Sequence, residues 1–467
     1  MNKAFAVVML LALGGCAVGP DFMRPAAPGG NDYTAQPVPG EIASSTGGES
    51  QSLQPGERIP AEWWELFKSP ALKDAVEAAI GGNRTLAAAR ATLAAAQENV
   101  LAVRGGYWPQ VDASASAERF RRTPNLYTVG ATASYAPDVF GATARSVEQQ
   151  QALAEQQRYE LAAAYLTLTG NVVTEAITIA SLRGQLEASE EVVADDTRNL
   201  ELVRFKYEAG KAPRTDVLTA ETQLAIDRTA LPGLRQQLAA ARDALSVLTG
   251  RAPAAWVPPD FDLKDFTLPQ ELPLSLPSQL ARQRPDILAA EALLHADSAA
   301  IGVATARLYP NITLSATGGQ QSLDSSSLFQ GVNTFWTLAA SLAQPIFHGG
   351  TLRAQRRAAI DLYQASLATY EQTVLQGLQQ VADILQALAQ DAELVDAQRQ
   401  LLESASKALT LQRESYAAGK SDLLQLIVAE RAYQQARLGM VTAQARRLQD
   451  TAQLFVALGG GWWDASL

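Results

Sequence analysis

The chain has 467 residues, a formal net charge of −10 at pH 7, two histidines and one cysteine. The acidic balance and the lack of any Lys/Arg run argue against a nucleic-acid partner, and one cysteine excludes a disulfide framework and a cysteine-based zinc site. His295 and His348 stand alone, so we expect packing or surface roles for them rather than metal ligation. The carboxylates are scattered along helical segments, which indicates solvated faces. Because no phosphate-binding loop and no nucleophile elbow occurs, the sequence predicts neither an enzyme nor a bound cofactor.

Residues 1–15 predict a secretion signal. Lys3 supplies a positive charge, an apolar stretch too short to span a bilayer follows, and Gly14-Gly15 precede Cys16. This pattern resembles the lipobox of bacterial lipoproteins, in which cleavage leaves the cysteine as an acylated N-terminus. The resemblance implies a covalent lipid on Cys16 and, because Ala17 rather than Asp follows, a destination in the outer membrane. The alternative is an ordinary secretion signal with an incidental cysteine.

The rest of the chain contains an internal duplication with an offset of about 209 residues. Tyr207-Glu-Ala-Gly210-Lys211 returns as Tyr416-Ala-Ala-Gly419-Lys420, and a long unit that occurs only twice indicates tandem duplication. The predicted segments are an extended tether at 16–60, a first repeat at 61–250, a connector at 251–280, a second repeat at 281–461 and a tail at 462–467.

Each repeat contains one hairpin of alternating residues, at about 110–137 and at 311–345. One apolar and one small polar face over about ten residues per strand is typical of transmembrane barrel strands. Four strands cannot close a barrel, since the smallest closed barrels have about eight. Two chains would give a bore filled by side chains, whereas three chains would leave room for a channel. The strands therefore predict a cyclic homotrimer.

Each repeat also contains a very long helix followed by a return helix. The predicted long helices are 142–209 and 351–418, and the return helices are 216–250 and 422–459. At ~1.5 Å per residue the long helices would each extend about 100 Å, so they need lateral partners along their length. Gly210 and Gly419 are predicted C-terminal caps, and Pro232 should bend or interrupt the first return helix.

Six motifs together identify a family. They are Cys16-Ala-Val-Gly19-Pro20-Asp21-Phe22, Trp63-Trp64-Glu-Leu-Phe67, Arg284-Pro285-Asp286-Ile287, Tyr309-Pro310, Gln344-Pro345-Ile-Phe347 and Ala457-Leu-Gly-Gly-Gly461-Trp462. They resemble the TolC-like outer-membrane efflux factors, particularly the acylated, NodT-type branch that serves resistance-nodulation-division pumps. The resemblance implies an α+β membrane protein: a trimer with a twelve-stranded β-barrel, continuous with a long periplasmic α-helical barrel.

The resemblance also implies a function and partners. We expect the outer-membrane channel of a tripartite efflux system, a passive exit duct for drugs or other small toxic solutes. The expected partners are a periplasmic adaptor (membrane fusion) protein, an inner-membrane resistance-nodulation-division transporter and outer-membrane lipid. The alternatives are the channel of a type I protein secretion system and, in a different class, a coiled-coil structural lipoprotein without a pore.

The helix tips are the expected periplasmic gate. The tip turns are Gly210, Lys211, Gly419 and Lys420, and the candidate gate residues are Asp216, Asp422, Leu424, Gln425 and Val428. Gln425 and Val428 stand where some family members have aspartates. One hypothesis is therefore an apolar plug of Leu424 and Val428 with charge from the two aspartates nearby, and the other is an acidic ring from Asp216. Each aspartate is alternatively a helix N-cap, an interpretation favoured for Asp422.

Overall fold

The computed structural model describes residues 17–29, 32–34, 40–42, 50–121 and 124–464, and the side chain of residue 464 is not described. The predicted signal segment and Cys16 lie outside these residues, as does part of the tether. The described chain forms two compact units. One contains residues up to 26, 90–160 and 286–373, and the other contains 27–89, 161–285 and 374–467. Both sequence repeats contribute to both units.

The secondary structure reproduces the predicted order. The strands are β1 (Glu41–Ile42), β2 (Gln51–Pro55), β3 (Gln110–Glu118), β4 (Leu126–Tyr135), β5 (Glu271–Leu274), β6 (Asn311–Ser322) and β7 (Thr334–Ala343). The α-helices are α1 (Pro70–Gly82), α2 (Arg84–Arg104), α3 (Ala142–Glu208), α4 (Arg214–Arg228), α5 (Ala230–Leu248), α6 (Pro277–Gln283), α7 (Pro285–Ala306), α8 (Thr351–Ala417) and α9 (Leu423–Ala457).

The two predicted hairpins form one antiparallel sheet in the order β3-β4-β6-β7. β4 and β6 pair closely where Gly130 lies opposite Gly319, and a Cβ at Gly319 would lie only 2.3 Å from the Val129 carbonyl oxygen. β3 and β7 are the outer strands, and no described residue of the chain pairs with their free edges. On β7, Trp336, Leu338 and Leu342 are exposed. Open edges and an exposed apolar face are the features of a sheet completed by further copies.

The long helices are twins, but the return helices differ. α3 and α8 each have 67 residues. α9 is continuous over 35 residues, whereas the first return helix is divided into α4 and α5 between Arg228 and Ala230. Pro232 explains the division, because it has no N–H for the carbonyl four residues earlier, that of Arg228, and its ring crowds that carbonyl. The predicted interruption is confirmed.

The tether has more structure than its composition predicts. β1 pairs with β2, and β2 pairs in parallel with β5 of the connector. Gln51 is fully buried, donates to the Pro269 carbonyl oxygen (2.9 Å) and accepts from Arg447 Nε (3.1 Å). Residues 51–55 are therefore extended but not free on the surface, because pairing with β5 satisfies their backbone groups.

The connector packs beside the helices. Arg183 of α3 donates to the Phe261 carbonyl oxygen (3.1 Å), and Trp462 Nε1 donates to the Gln283 carbonyl oxygen (2.7 Å). One described helix, α7, is long and apolar enough to cross a membrane. Because 61% of its most apolar window is buried inside the protein, α7 is better explained as a core helix.

Candidate functional site

Both tip turns have the same cap geometry. Gly210 and Gly419 have φ of +70° and +72°, a conformation that glycine adopts without a steric penalty. Backbone hydrogen bonds of the Schellman pattern close each helix. They run from Gly210 N to Tyr207 O (2.9 Å), Lys211 N to Lys206 O (2.8 Å), Gly419 N to Tyr416 O (3.1 Å) and Lys420 N to Ser415 O (2.9 Å). The repeated sequence motif is therefore a repeated backbone structure.

The two candidate aspartates occupy different helix positions. Asp422 is the N-cap of α9, and its Oδ1 accepts from the Gln425 backbone N–H at 2.9 Å. Pro213 is the residue at the N-cap of α4, and Asp216 lies in the first turn of that helix. The N-cap interpretation is therefore wrong for Asp216, because α4 begins two residues earlier than expected. A carboxylate in the first turn still interacts favourably with the helix dipole.

Leu424 and Val428 lie one turn apart on the same side of α9. Their side chains are 63% and 59% exposed, so neither belongs to the packed interior of the single chain. Gln425, between them in sequence, has its amide oxygen 3.4 Å from Gln412 Nε2 of α8. Leu424 and Val428 therefore form an exposed apolar pair near the start of α9.

Behind the tips, an apolar cluster joins four helices; we call it the tip core. It consists of Leu200 and Val203 of α3, Val217, Ala220 and Leu224 of α4, Leu409 and Tyr416 of α8, and Leu423, Leu426 and Ile427 of α9. Lys206 Nζ lies 3.6 Å from the centroid of the Tyr416 ring, close enough for a cation–π interaction. The hairpins of the two repeats are therefore packed together near their ends.

A polar group of residues, which we call the carboxylate layer, links the same four helices. It consists of Asp195, Asp196 and Asn199 of α3, Gln223 and Asp227 of α4, Arg413 of α8, and Glu430 and Arg431 of α9. Arg431 Nε donates to Gln223 Oε1 (2.9 Å), and Gln223 Nε2 donates to Asp227. Asn199 Nδ2 donates to Glu430 Oε1 (2.6 Å), and Arg413 forms ion pairs with Asp195 and, at 3.6 Å, with Glu430.

The carboxylate layer carries unusual electrostatics. Asp196, Asp227 and Glu430 are all buried. Burial, then a hydrogen bond and repulsion from Asp227, raise the pKa of Asp196 to about 8, and burial also raises the pKa of Glu430. Burial opposes ionisation of Asp195 too, but hydrogen bonds from Arg413 and Arg198 outweigh it and lower the pKa. The raised pKa favours the protonated form of Asp196 at neutral pH.

Sequence reasoning missed this layer. The carboxylates were expected on solvated faces, and for Asp196, Asp227 and Glu430 that expectation is wrong. They lie far apart in sequence on three helices, so spacing along one helix gave no signal. Only the packing of the helices brings them together.

Comparison with known proteins now decides the family. The model of the outer membrane efflux protein family matches residues 75–251 and 276–460. The chain belongs to the outer membrane efflux protein family. Among relatives, it is 29% identical to the solvent efflux pump outer membrane protein SrpC of Pseudomonas putida over 98% of both chains. It is 28% identical to the pyoverdine export outer membrane protein OpmQ of Pseudomonas aeruginosa, over 86% of this chain and 87% of that protein.

Solved structures of outer-membrane channels support the same family assignment. The outer-membrane channel OprN matches with a TM-score of 0.85 and 27% identity, over 96% of this chain and all of that one. The open state of the MtrE outer membrane channel of Neisseria gonorrhoeae matches with a TM-score of 0.80 and 26% identity, over 96% and 99% of the two chains.

The predicted fold, function and location are confirmed by these comparisons. The protein is an outer-membrane channel of a tripartite efflux system, with the trimeric TolC-like fold and a long periplasmic helical extension. Its family is one of channels rather than enzymes. The alternative of a structural lipoprotein without a pore is wrong.

Proposed function

We propose that the channel is a passive exit duct for small, largely apolar toxic solutes, including organic solvents and drugs. We infer this cargo class from the similarity to the solvent efflux channel, which extends over 98% of both chains. A second cargo class, an exported siderophore, is favoured by the similarity to the pyoverdine export channel. Energy comes from the inner-membrane partner, and the duct contributes no catalytic chemistry.

The working unit is a homotrimer with two further components. Three copies of the four-stranded sheet pair the free edges of β3 and β7 and close a twelve-stranded barrel. A periplasmic adaptor docks at the helix tips, and a resistance-nodulation-division transporter in the inner membrane supplies cargo. A covalent lipid on Cys16 adds an anchor in outer-membrane lipid.

The tips form the gate. The exposed Leu424 and Val428 of three chains meet in an apolar plug, with Asp216 and Asp422 supplying negative charge beside it. The tip core and the carboxylate layer hold the two hairpins of each chain together, so opening requires that their contacts be rearranged. The gate is therefore controlled by packing behind the tips as well as by the residues at the constriction.

Complementation tests this function. The gene is expressed in a Gram-negative strain whose own outer-membrane efflux channel is deleted, and survival in toluene is measured with and without the partner adaptor and pump. We expect tolerance to return only when all three components are present. Tolerance that returns without the pump would indicate a general pore. No change in tolerance, combined with restored siderophore release, would favour the second cargo class.

A further inference from the structure

The strand-bearing unit contains a cavity of about 550 Å³. It lies where strands meet helices in both repeats, between the segment that follows β4, the end of α7 with the start of β6, and the segment that joins β7 to α8. Its lining combines polar and apolar residues. The apolar residues include Phe140, Tyr309, Ile312, Pro345 and Leu352, and the polar residues include Asp138, Arg307, Asn311, Gln344 and His348. The rings of Phe140 and Tyr309 stack with centroids 5.0 Å apart, so one wall of the cavity is built from both repeats.

The N-terminal end of the described chain packs against the segment after β4, which forms one wall of this cavity. The backbone N–H of Val18 donates to the carbonyl oxygen of Phe140, a lining residue, at 3.2 Å. Ala17 packs on Gly141, between two lining residues, and a Cβ at Gly141 would lie 2.6 Å from the Ala17 Cα. Gly141 has a φ of +75°, so glycine is needed there both for its backbone conformation and for this close approach.

The segment that follows is fixed in place. Arg145 is buried, and its guanidinium donates to the Val18 carbonyl oxygen (3.3 Å) and to Asp21 Oδ1 (2.7 Å). Phe22 stacks on His295 at 4.4 Å between ring centroids, and Arg24 pairs with Glu291 at 2.5 Å. The polar and aromatic contacts of residues 18–24 therefore hold Ala17 beside the cavity.

We propose that the cavity receives the proximal part of an acyl chain carried by Cys16. The proposal rests on the lipidation of Cys16 proposed above. Cys16 is joined directly to Ala17, the residue that packs on Gly141 between two lining residues, so covalent attachment keeps an acyl group on Cys16 close to this wall. Covalent attachment gives the chain a high effective concentration there, and the apolar residues of the lining provide the environment that methylene groups prefer. The occupant is thus a modification of this chain.

Photocrosslinking tests the assignment. Cells are grown with a fatty acid that carries a diazirine near its carboxyl end, the purified trimer is irradiated, and crosslinked peptides are identified by mass spectrometry. We expect most crosslinks in peptides that contain residues 136–143, 306–312 and 343–352. Crosslinks confined to phospholipid, to the middle of the strands or to a second copy of the chain would overturn the proposal. Trimers assembled from isotopically light and heavy chains distinguish a second copy from the same chain.

Two variants separate the cavity from lipidation itself. Ala343 lines the cavity at the end of β7, so Ala343→Trp should fill it and reduce these crosslinks at least five-fold. Ala115→Trp, on exposed β3 and outside the lining, is the matched control and should leave them unchanged. Cys16→Ser should abolish acylation of residue 16 and, with it, the crosslinks in the cavity peptides. If the wild-type protein is not labelled at Cys16, lipidation is wrong; if Cys16 is labelled and the cavity peptides are not, only the cavity proposal fails.

Discussion

Replacing the tip glycines by valine should loosen the ends of the long hairpins. Gly210 and Gly419 have positive φ, and no atom lies within 4 Å of a Cβ placed on either residue. The added side chain therefore causes no steric clash, and the substitution acts only through the backbone conformation at the glycine. A left-handed residue with a Cβ costs roughly 1–2 kcal/mol, and a branched Cβ lies at the upper end. One to two kcal/mol corresponds to about a 5–30-fold change in a local opening equilibrium.

Hydrogen exchange is the direct assay, because opening of a helix end exposes its amides. Amides of residues 207–216 should exchange about 5–30-fold faster in Gly210→Val, and those of residues 416–426 in Gly419→Val. Asn tolerates the left-handed region, so Gly210→Asn should lie close to the wild type. Barrel assembly should be unaffected, since the strands lie in the other compact unit.

Gly233 provides the matched control. It lies in α5, its φ is not positive, and it also faces open space. Gly233→Val should therefore be neutral or slightly stabilising, because valine is a better helix residue than glycine. Wild-type exchange rates in both tip variants would refute the reasoning, and so would equal effects of Asn and Val at position 210.

Three further outcomes are expected. Burial and Asp227 raise the pKa of Asp196 to about 8, so this group should make stability of the helical unit fall as pH rises from about 4 to 8, by at most about 1.4 kcal/mol per pH unit. Asp196→Asn should reduce this dependence in thermal melts, whereas exposed Asp243→Asn should not; Asp391, whose pKa burial raises to about 7, should account for part of what remains. The double variant Leu424→Ala/Val428→Ala should raise single-channel conductance; if only Asp216→Ala does so, the gate is the acidic ring. Native mass spectrometry in detergent should show three chains, and a stable monomer or dimer would contradict the shared barrel.

Local patterns predicted most of the fold. The hairpins were predicted because strand alternation with a period of two persists over about ten residues in each strand. The long helices were predicted because their segments contain no proline and end in glycine. The break before Pro232 was predicted because a missing N–H acts on the carbonyl four residues earlier, whatever the tertiary structure. These signals depend on a few neighbouring residues, so one sequence is sufficient.

The parts that sequence reasoning missed depend on contacts between distant segments. Gln51 in a Pro/Gly/Ser-rich segment gives no sign that it is paired with Arg447, 396 residues away. Asp196 resembles any exposed helical aspartate until α4 and α9 bring Asp227 and Glu430 beside it. In each case burial decides the chemistry of the side chain, and burial is set by tertiary packing rather than by local sequence.

The two repeats have the same helix caps, but their return helices differ. The long and return helices of both repeats end in the same backbone arrangement, with positive φ at Gly210, Gly250, Gly419 and Gly459. The return helices differ, because only the first is interrupted, and Asp227 lies in the last turn before that interruption. The corresponding residue of the second repeat, Ala436, is a buried apolar residue in a continuous helix. The pairing of Asp196 with Asp227 therefore belongs to the first hairpin, at the point where its return helix has lost a backbone hydrogen bond. The second hairpin has an acid pair of its own, Asp391 of α8 with Asp450 of α9, and burial raises the pKa of Asp391 to about 7. We therefore expect the packing of both hairpins to weaken as pH rises, but only in the first does the acid pair lie beside a break in the return helix.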